Sequence, residues 1–324
     1  MVGRHSKEKQ VGKLSEYTFV FPQKPEPKTW KQIVWDGRDS KFFGRTKQSW
    51  WYLFLFYGIY FIVLFSLFWA CMECLFLTLS DRYPKYQCED SLIGVNPGLG
   101  YRPMPDNVKA AAMVHFKQHN ETEMDYWTSR LDSFLEPYQH SLNSHSDEGS
   151  NMMQCKFGEQ VPEGKACIFD IDKLGPCSPL NRYGYNDSQP CIVLKLNRIY
   201  GWVPDYYDNV DELPENMPQD LVEYIKSVPK VERRQVWISC NGIYPADNEA
   251  TGPFGYYPSR GIASYFYPYT NVKGYLSPLV GIQFVNPKRK RNIFVECRAW
   301  AKNIAYKGGS RLRMGSVMFS MMLD

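Results

Sequence analysis

Residues 51–72, WYLFLFYGIYFIVLFSLFWACM, decide how this chain must be read. They hold no charge and no break. At about 1.5 Å per residue they make a helix of roughly 33 Å, enough to cross the hydrocarbon of a bilayer. A buried core helix is the competing reading, but such helices carry a polar stripe and this one is apolar on every face. A cleaved signal peptide also fits poorly: the segment starts late, is long, and lacks a small-residue cleavage site after it.

The charges on either side set an orientation. Residues 1–49 hold eleven Lys/Arg and five Asp/Glu, whereas residues 80–324 hold 27 bases and 28 acids. The basic flank belongs in the cytosol. Trp50, Trp51 and Tyr52 stand where an interfacial aromatic belt is expected. The chain therefore reads as a single-pass type II membrane protein. Residues 1–49 are a cytosolic basic head, 50–79 a transmembrane helix, and 80–324 an extracellular, disulfide-bonded, glycosylated domain. The whole chain has a net charge of only +4, which argues against a nucleic-acid partner.

Seven of the nine cysteines lie beyond the span: Cys88, Cys155, Cys167, Cys177, Cys191, Cys240 and Cys297. An outside location is oxidising, so disulfides are the default, and spacing alone leaves the pairing of the last six open. Cys71 and Cys74 read as thiols within the span rather than as a metal or redox pair. Asn120 (N-E-T) and Asn186 (N-D-S) are glycosylation sequons, both beyond the span.

The outer region is mostly strand. Apolar alternation or apolar runs mark 191–200, 234–240, 279–285, 292–300 and, more weakly, 310–320, as in an antiparallel sandwich. One amphipathic helix is expected over about 121–135, with Met124, Trp127, Leu131, Phe134 and Leu135 on one face and Pro137 ending it. The polar run 139–151 reads as a loop.

Motifs for chemistry are few. His115 and His119 are spaced for one helix face, but no third metal ligand accompanies them. Asp170-Ile171-Asp172 has the form of the metal-binding pair of lumenal glycosyltransferases. The surrounding chain lacks the alternating helix–strand pattern of a nucleotide-binding sheet. Lys288-Arg289-Lys290-Arg291 reads as an exposed hairpin loop, with a polyanion patch as the alternative. No phosphate loop or nucleophile elbow is present, and neither metal nor cofactor is implied.

Several motifs in order resemble the β subunit of the sodium/potassium-transporting ATPase, a P-type cation pump. Before the span stands Phe43-Gly44-Arg45-Thr46 with Ser49-Trp50, and inside it Phe56-Tyr57-x-x-Tyr60-Phe61. Beyond it come Cys191-Ile192-Val193-Leu194-Lys195-Leu196-Asn197-Arg198-Ile199 with Gly201, then Tyr267-Pro268-Tyr269 and Tyr275-Leu276-x-Pro278-Leu279 with Gln283-Phe284. Glu296-Cys297-Arg298-Ala299-Trp300 with Asn303-Ile304 and Tyr306 completes a likeness running from about residue 35 to 305.

The resemblance implies an immunoglobulin-like sandwich with an inserted helix and disulfides Cys155–Cys167, Cys177–Cys191 and Cys240–Cys297, with Cys88 left unpaired. It implies a non-catalytic subunit that binds, stabilises and escorts the pump's catalytic α subunit to the plasma membrane and modulates cation affinity. A small regulatory chain is a further partner in such pumps. The implied contacts are Tyr57 and Phe61 in the bilayer and Tyr265, Tyr267, Tyr269 and Tyr275 outside. Two other readings are a pump-independent adhesion glycoprotein and the lumenal transferase. The residues do not separate sodium/potassium from proton/potassium partners.

Overall fold

The computed structural model describes residues 29–37, 40–81, 83–105, 113–118, 120–143, 151–309 and 313–324. It forms two compact units, Met1–Thr78 and Leu79–Asp324.

In the first unit a short helix α1 (Trp30–Val34) leads into a small hairpin, β1 (Trp35–Asp36) and β2 (Lys41–Phe42). The long helix α2 (Lys47–Phe76) follows. It starts three residues before the span expected at 50–79 because Thr46 caps it, its hydroxyl accepting from the Ser49 amide at 3.4 Å. None of its residues is buried. The Ser66 hydroxyl donates to the Ile62 carbonyl at 2.8 Å, so the polar group inside the apolar stretch is satisfied within the helix. Among the described residues it is the single helix long and apolar enough to cross a membrane.

The second unit is a two-sheet sandwich. In chain order its elements are β3 (Leu99–Arg102), β4 (Met113–Phe116), α3 (Glu121–Asn143), β5 (Met152–Met153), β6 (Ala166–Cys167) and β7 (Cys191–Leu196). Then come α4 (Gln219–Ser227), β8 (Gln235–Gly242), α5 (Pro245–Thr251), β9 (Phe254–Tyr257) and β10 (Gly261–Ala263). The last strands are β11 (Leu279–Phe284), β12 (Asn292–Trp300) and β13 (Ser316–Leu323). One sheet has the order β10-β8-β12-β13-β4, the other β3-β7-β11-β9. Pairing within them is antiparallel, except that β4 runs parallel to β13. Tyr101, Phe284 and Phe319 meet between the sheets, with ring centroids 5.0 and 6.3 Å apart from Phe319.

The strand patterns have direct causes. β12 alternates buried and half-buried side chains along most of its length, as a strand covered on one face must. β8 is buried over its first six residues because α4 covers its outer face. There Leu221 and Ile225 close over Trp237 and Trp300 as a second, smaller core. β11 is buried throughout. Gly281 is needed in it: a Cβ there would sit 3.1 Å from the Cys177 sulfur, which crosses its face.

Four expectations need correcting. Pro137 does not end the helix; α3 continues to Asn143 with Pro137 inside and exposed. Burial holds the last turns in place: Leu135 and Tyr138 extend the apolar stripe, and the Tyr138 hydroxyl donates to the Ser277 carbonyl at 2.8 Å. Residues 139–143 of the expected loop are thus helical, and 144–150 lie outside the described residues. The last strand begins at Ser316 rather than 310. Finally, residues 285–291 are no hairpin, since β11 and β12 lie in different sheets and the segment crosses between them.

Candidate partner interface

Three disulfides frame the sandwich: Cys155–Cys167, Cys177–Cys191 and Cys240–Cys297, with Cα separations of 5.6, 5.5 and 4.1 Å. The first joins the chain just after β5 to the last residue of β6. The second fastens the 171–177 turn to β7. The third joins directly opposed residues of neighbouring strands β8 and β12. Cys71 and Cys74 are free and exposed on α2. Cys88 is free and half-buried, its sulfur 3.7 Å from the Tyr200 carbonyl.

Between β10 and β11 the chain forms one 3-10 turn, Ser264–Phe266, and otherwise no strand until Leu279. The rings of this segment fall into two groups. Tyr265 lies against Phe157 and Phe266, at 5.3 and 4.7 Å, and Tyr267 meets Trp202 edge-on at 5.6 Å. Tyr275 is buried. Burial raises the hydroxyl pKa of all three above the ordinary tyrosine value, with Tyr275 reinforcing the effect at Tyr267. They are neutral groups at physiological pH. Tyr269 stands apart. It is half-buried, its ring tilted against that of Tyr275 at 4.9 Å and beneath the Arg198 guanidinium at 5.2 Å, with its hydroxyl donating to Asn271 at the surface.

Tyr265, Tyr267 and Tyr275, but not Tyr269, line an open cleft of about 700 Å³ together with residues 159–167, Tyr206 and Arg234. The arrangement offers rigid aromatic area, which protein interfaces favour, and beside it the Tyr269 hydroxyl stands at the surface. The sequence missed Tyr206, Arg234 and the 159–167 wall, because nothing in their local pattern announces that the fold brings them to residue 267.

On α2, the Tyr57 and Phe61 rings stack with centroids 6.2 Å apart and are both exposed. Gly58 beside them has open space on its face. Asn186 is exposed, whereas Asn120 is half-buried and donates to the Glu123 carboxylate at 2.8 Å as the entry to α3.

The chemical motifs resolve into structural roles. The Asp170 carboxylate caps its own turn, accepting from the Asp172 amide at 3.0 Å. His115 sits on strand β4, not on a helix, 3.1 Å from the Asp324 carboxylate, and His119 lies outside the described residues. Among the described residues no group of three His, Cys, Asp or Glu could hold a metal.

Among the described residues, one helix able to cross a membrane and a disulfide-framed sandwich with an aromatic edge give the plan of a single-pass membrane protein. The chain belongs to the family described as the sodium/potassium ATPase beta chain, whose model matches residues 22–319. It is 44% identical over 316 residues to the sodium/potassium-transporting ATPase subunit beta-1 of Drosophila melanogaster, covering 98% of this chain and 99% of that one. Subunit beta-2 of the same organism is 43% identical, over 96% and 97% of the two chains. Human subunit beta-2 is 30% identical, over 91% and 94%.

Proposed function

We propose that this chain is the non-catalytic β subunit of a sodium/potassium pump. It binds the catalytic α subunit during synthesis, stabilises it, escorts it to the plasma membrane and tunes its cation affinity. The observation that carries the reading is a family match spanning both the helix and the sandwich. No active site is needed for such a role: an outer domain that touches one conformational state of its partner better than another shifts the partner's equilibrium. The head of eleven bases against five acids supports an N-terminus in the cytosol and a sandwich outside. Tyr57 and Phe61 are assigned to the contact within the bilayer, where large rings must hold a partner by packing or hydrogen bonding. The segment Tyr265–Tyr275 is assigned to the outer contact. Isolation in mild detergent tests the proposal: a pump chain of about three times this mass, recovered one-to-one, supports it. Recovery without such a chain would favour the adhesion reading.

Both sequons are expected to carry glycan, so endoglycosidase should lower the apparent mass in two steps. Asn186→Gln and Asn120→Gln should each remove one step. The Asn120 change should also cost about 1 kcal/mol, because the Asn120 side-chain oxygen caps α3 by accepting from the Glu123 amide at 3.4 Å. An unmodified protein whose head is shielded from external protease would contradict the orientation.

Glu73 is not assigned to the ion path. It lies sixteen residues beyond Tyr57 on one continuous helix, which at about 100° per residue turns it roughly 160° from that ring. Near the end of the span a carboxylate reaches headgroups and water at little cost. Glu73→Gln should leave apparent potassium affinity within about twofold, and a large change would overturn the assignment.

A further inference from the structure

We propose that residues 285–291, the crossing between β11 and β12, form a binding site for a sulfated polysaccharide. Lys288, Arg289, Lys290 and Arg291 are consecutive and all exposed. Lys288 has one carboxylate nearby, Glu249 at 3.9 Å, and both are open to solvent, where such a pair is weak. Arg289, Lys290 and Arg291 make no ion pair among the described residues.

The backbone that carries these cations is fixed. The Val285 amide donates to Pro253, the Lys288 amide to Ala250 at 2.8 Å and the Lys290 amide to Leu323 at 2.6 Å, while Pro287 is buried. Lys290 takes a left-handed turn, φ 56°. A charged segment already ordered loses less entropy on capturing a ligand than a floppy one. The same three anchors oppose proteolysis at this tetrabasic run, since a protease needs an extended, detached strand.

Charge and position choose the ligand. Residues 80–324 hold 27 bases and 28 acids, so the attraction comes from this patch and not from the field of the whole body. The patch lies at the end of the sandwich remote from residues 96–99. Leu99 pairs with Leu196 at one end of the sheet, whereas Gln283 pairs with Cys191 at the other. Asn96 likewise reaches Ala305 beyond the far end of β12, nine residues or about 30 Å from Asn292. Residues 96–99 are thus at the opposite pole of the sandwich from the patch. Two arginine forks match tetrahedral oxyanions, and a linear polyanion can engage four successive cations. The choice of a polysaccharide over other polyanions rests on the outward orientation proposed above; the binding assay does not depend on the pump assignment.

The test uses the full-length chain in mild detergent on immobilised heparin. The native protein should be retained at about 0.15 M salt, with log affinity falling against log salt at a slope of roughly −3, as for polyanions that shed counterions. Arg289→Gln with Lys290→Asn and Arg291→Gln should lose tenfold or more in affinity; asparagine tolerates the left-handed turn. Lys226→Gln with Lys230→Gln, exposed lysines elsewhere, should bind as the native chain does. Heparin should also shield Lys288 and Lys290 of the unaltered protein from acetylation, a readout that needs no folded variant. The proposal is overturned by undiminished binding of the triple variant, by equal loss in the Lys226/Lys230 variant, or by absence of shielding. It is equally overturned if desulfated heparin binds as well, or if the protein binds phosphatidylserine vesicles and not heparin.

Discussion

Cys240→Ser should abolish recovery of the catalytic partner and delivery to the cell surface. The bridge to Cys297 closes the longest of the three loops, 57 residues in separation against 12 and 14. The chain-entropy model assigns it about 4 kcal/mol and the Cys155–Cys167 bridge about 3 kcal/mol. Placement raises the stake further. Cys240 and Cys297 face each other across β8 and β12, the inner strands that carry both the main core and the small core under α4, and both are essentially inaccessible. Opening the bridge therefore leaves a hydroxyl and a thiol inside the sheet sandwich as well as a looser unfolded chain. A domain with about 5–15 kcal/mol in total does not absorb that loss easily. Cys88→Ser is the matched control and should assemble normally. Surface delivery of the Cys240 variant at the native level, partner attached, would refute the expectation.

Tyr267→Ala combined with Tyr269→Ala should strongly reduce co-purification of the catalytic subunit, and the single variants should divide the effect. Tyr267 meets Trp202 edge-on with its hydroxyl enclosed, so truncation leaves a hole worth about 3 kcal/mol. For a domain of this size that is a drop of about 6–12 °C in melting temperature. Tyr269 is half-buried with its hydroxyl at the surface, so its loss should leave melting temperature, disulfides and glycans near native while partner recovery falls. Undiminished recovery with Tyr269→Ala and with the double variant would send the outer contact elsewhere.

What could be read in advance followed from how strictly physics constrains each segment. Lipid tolerates no unsatisfied backbone, so the apolar helix was legible to within three residues at each end. β12, with one face to the core, shows its boundaries through alternation alone. α4 was missed although Leu221 and Ile225 are four apart, because nine residues make too short a stripe to separate from a turn-rich loop. Pro137 misled because a proline on the exposed side of a helix loses one hydrogen bond, while the buried Tyr138 one residue on holds the turn. Ring-rich segments are the hardest: Tyr267 and Tyr269 look alike in sequence, and only the placement of Trp202 and Asn271 gives them different surroundings. The cysteine pairing was likewise open on spacing and came from family resemblance.

The parallel pairing of β4 with β13 carries a consequence for timing. Val114 and Phe116 are wholly enclosed, and they lie alongside Met321 and Leu323, about two hundred residues later in the chain. At a ribosomal pace of about 5–20 residues per second, β4 waits on the order of 10–40 s for its neighbour to be made. Throughout that interval one edge of the larger sheet stays open, and the apolar face of α3 that closes over it has no finished floor. The sandwich therefore closes late, when β13 is made. Until β13 is made, the apolar side chains of β4 stay exposed to whatever binds unfolded chain.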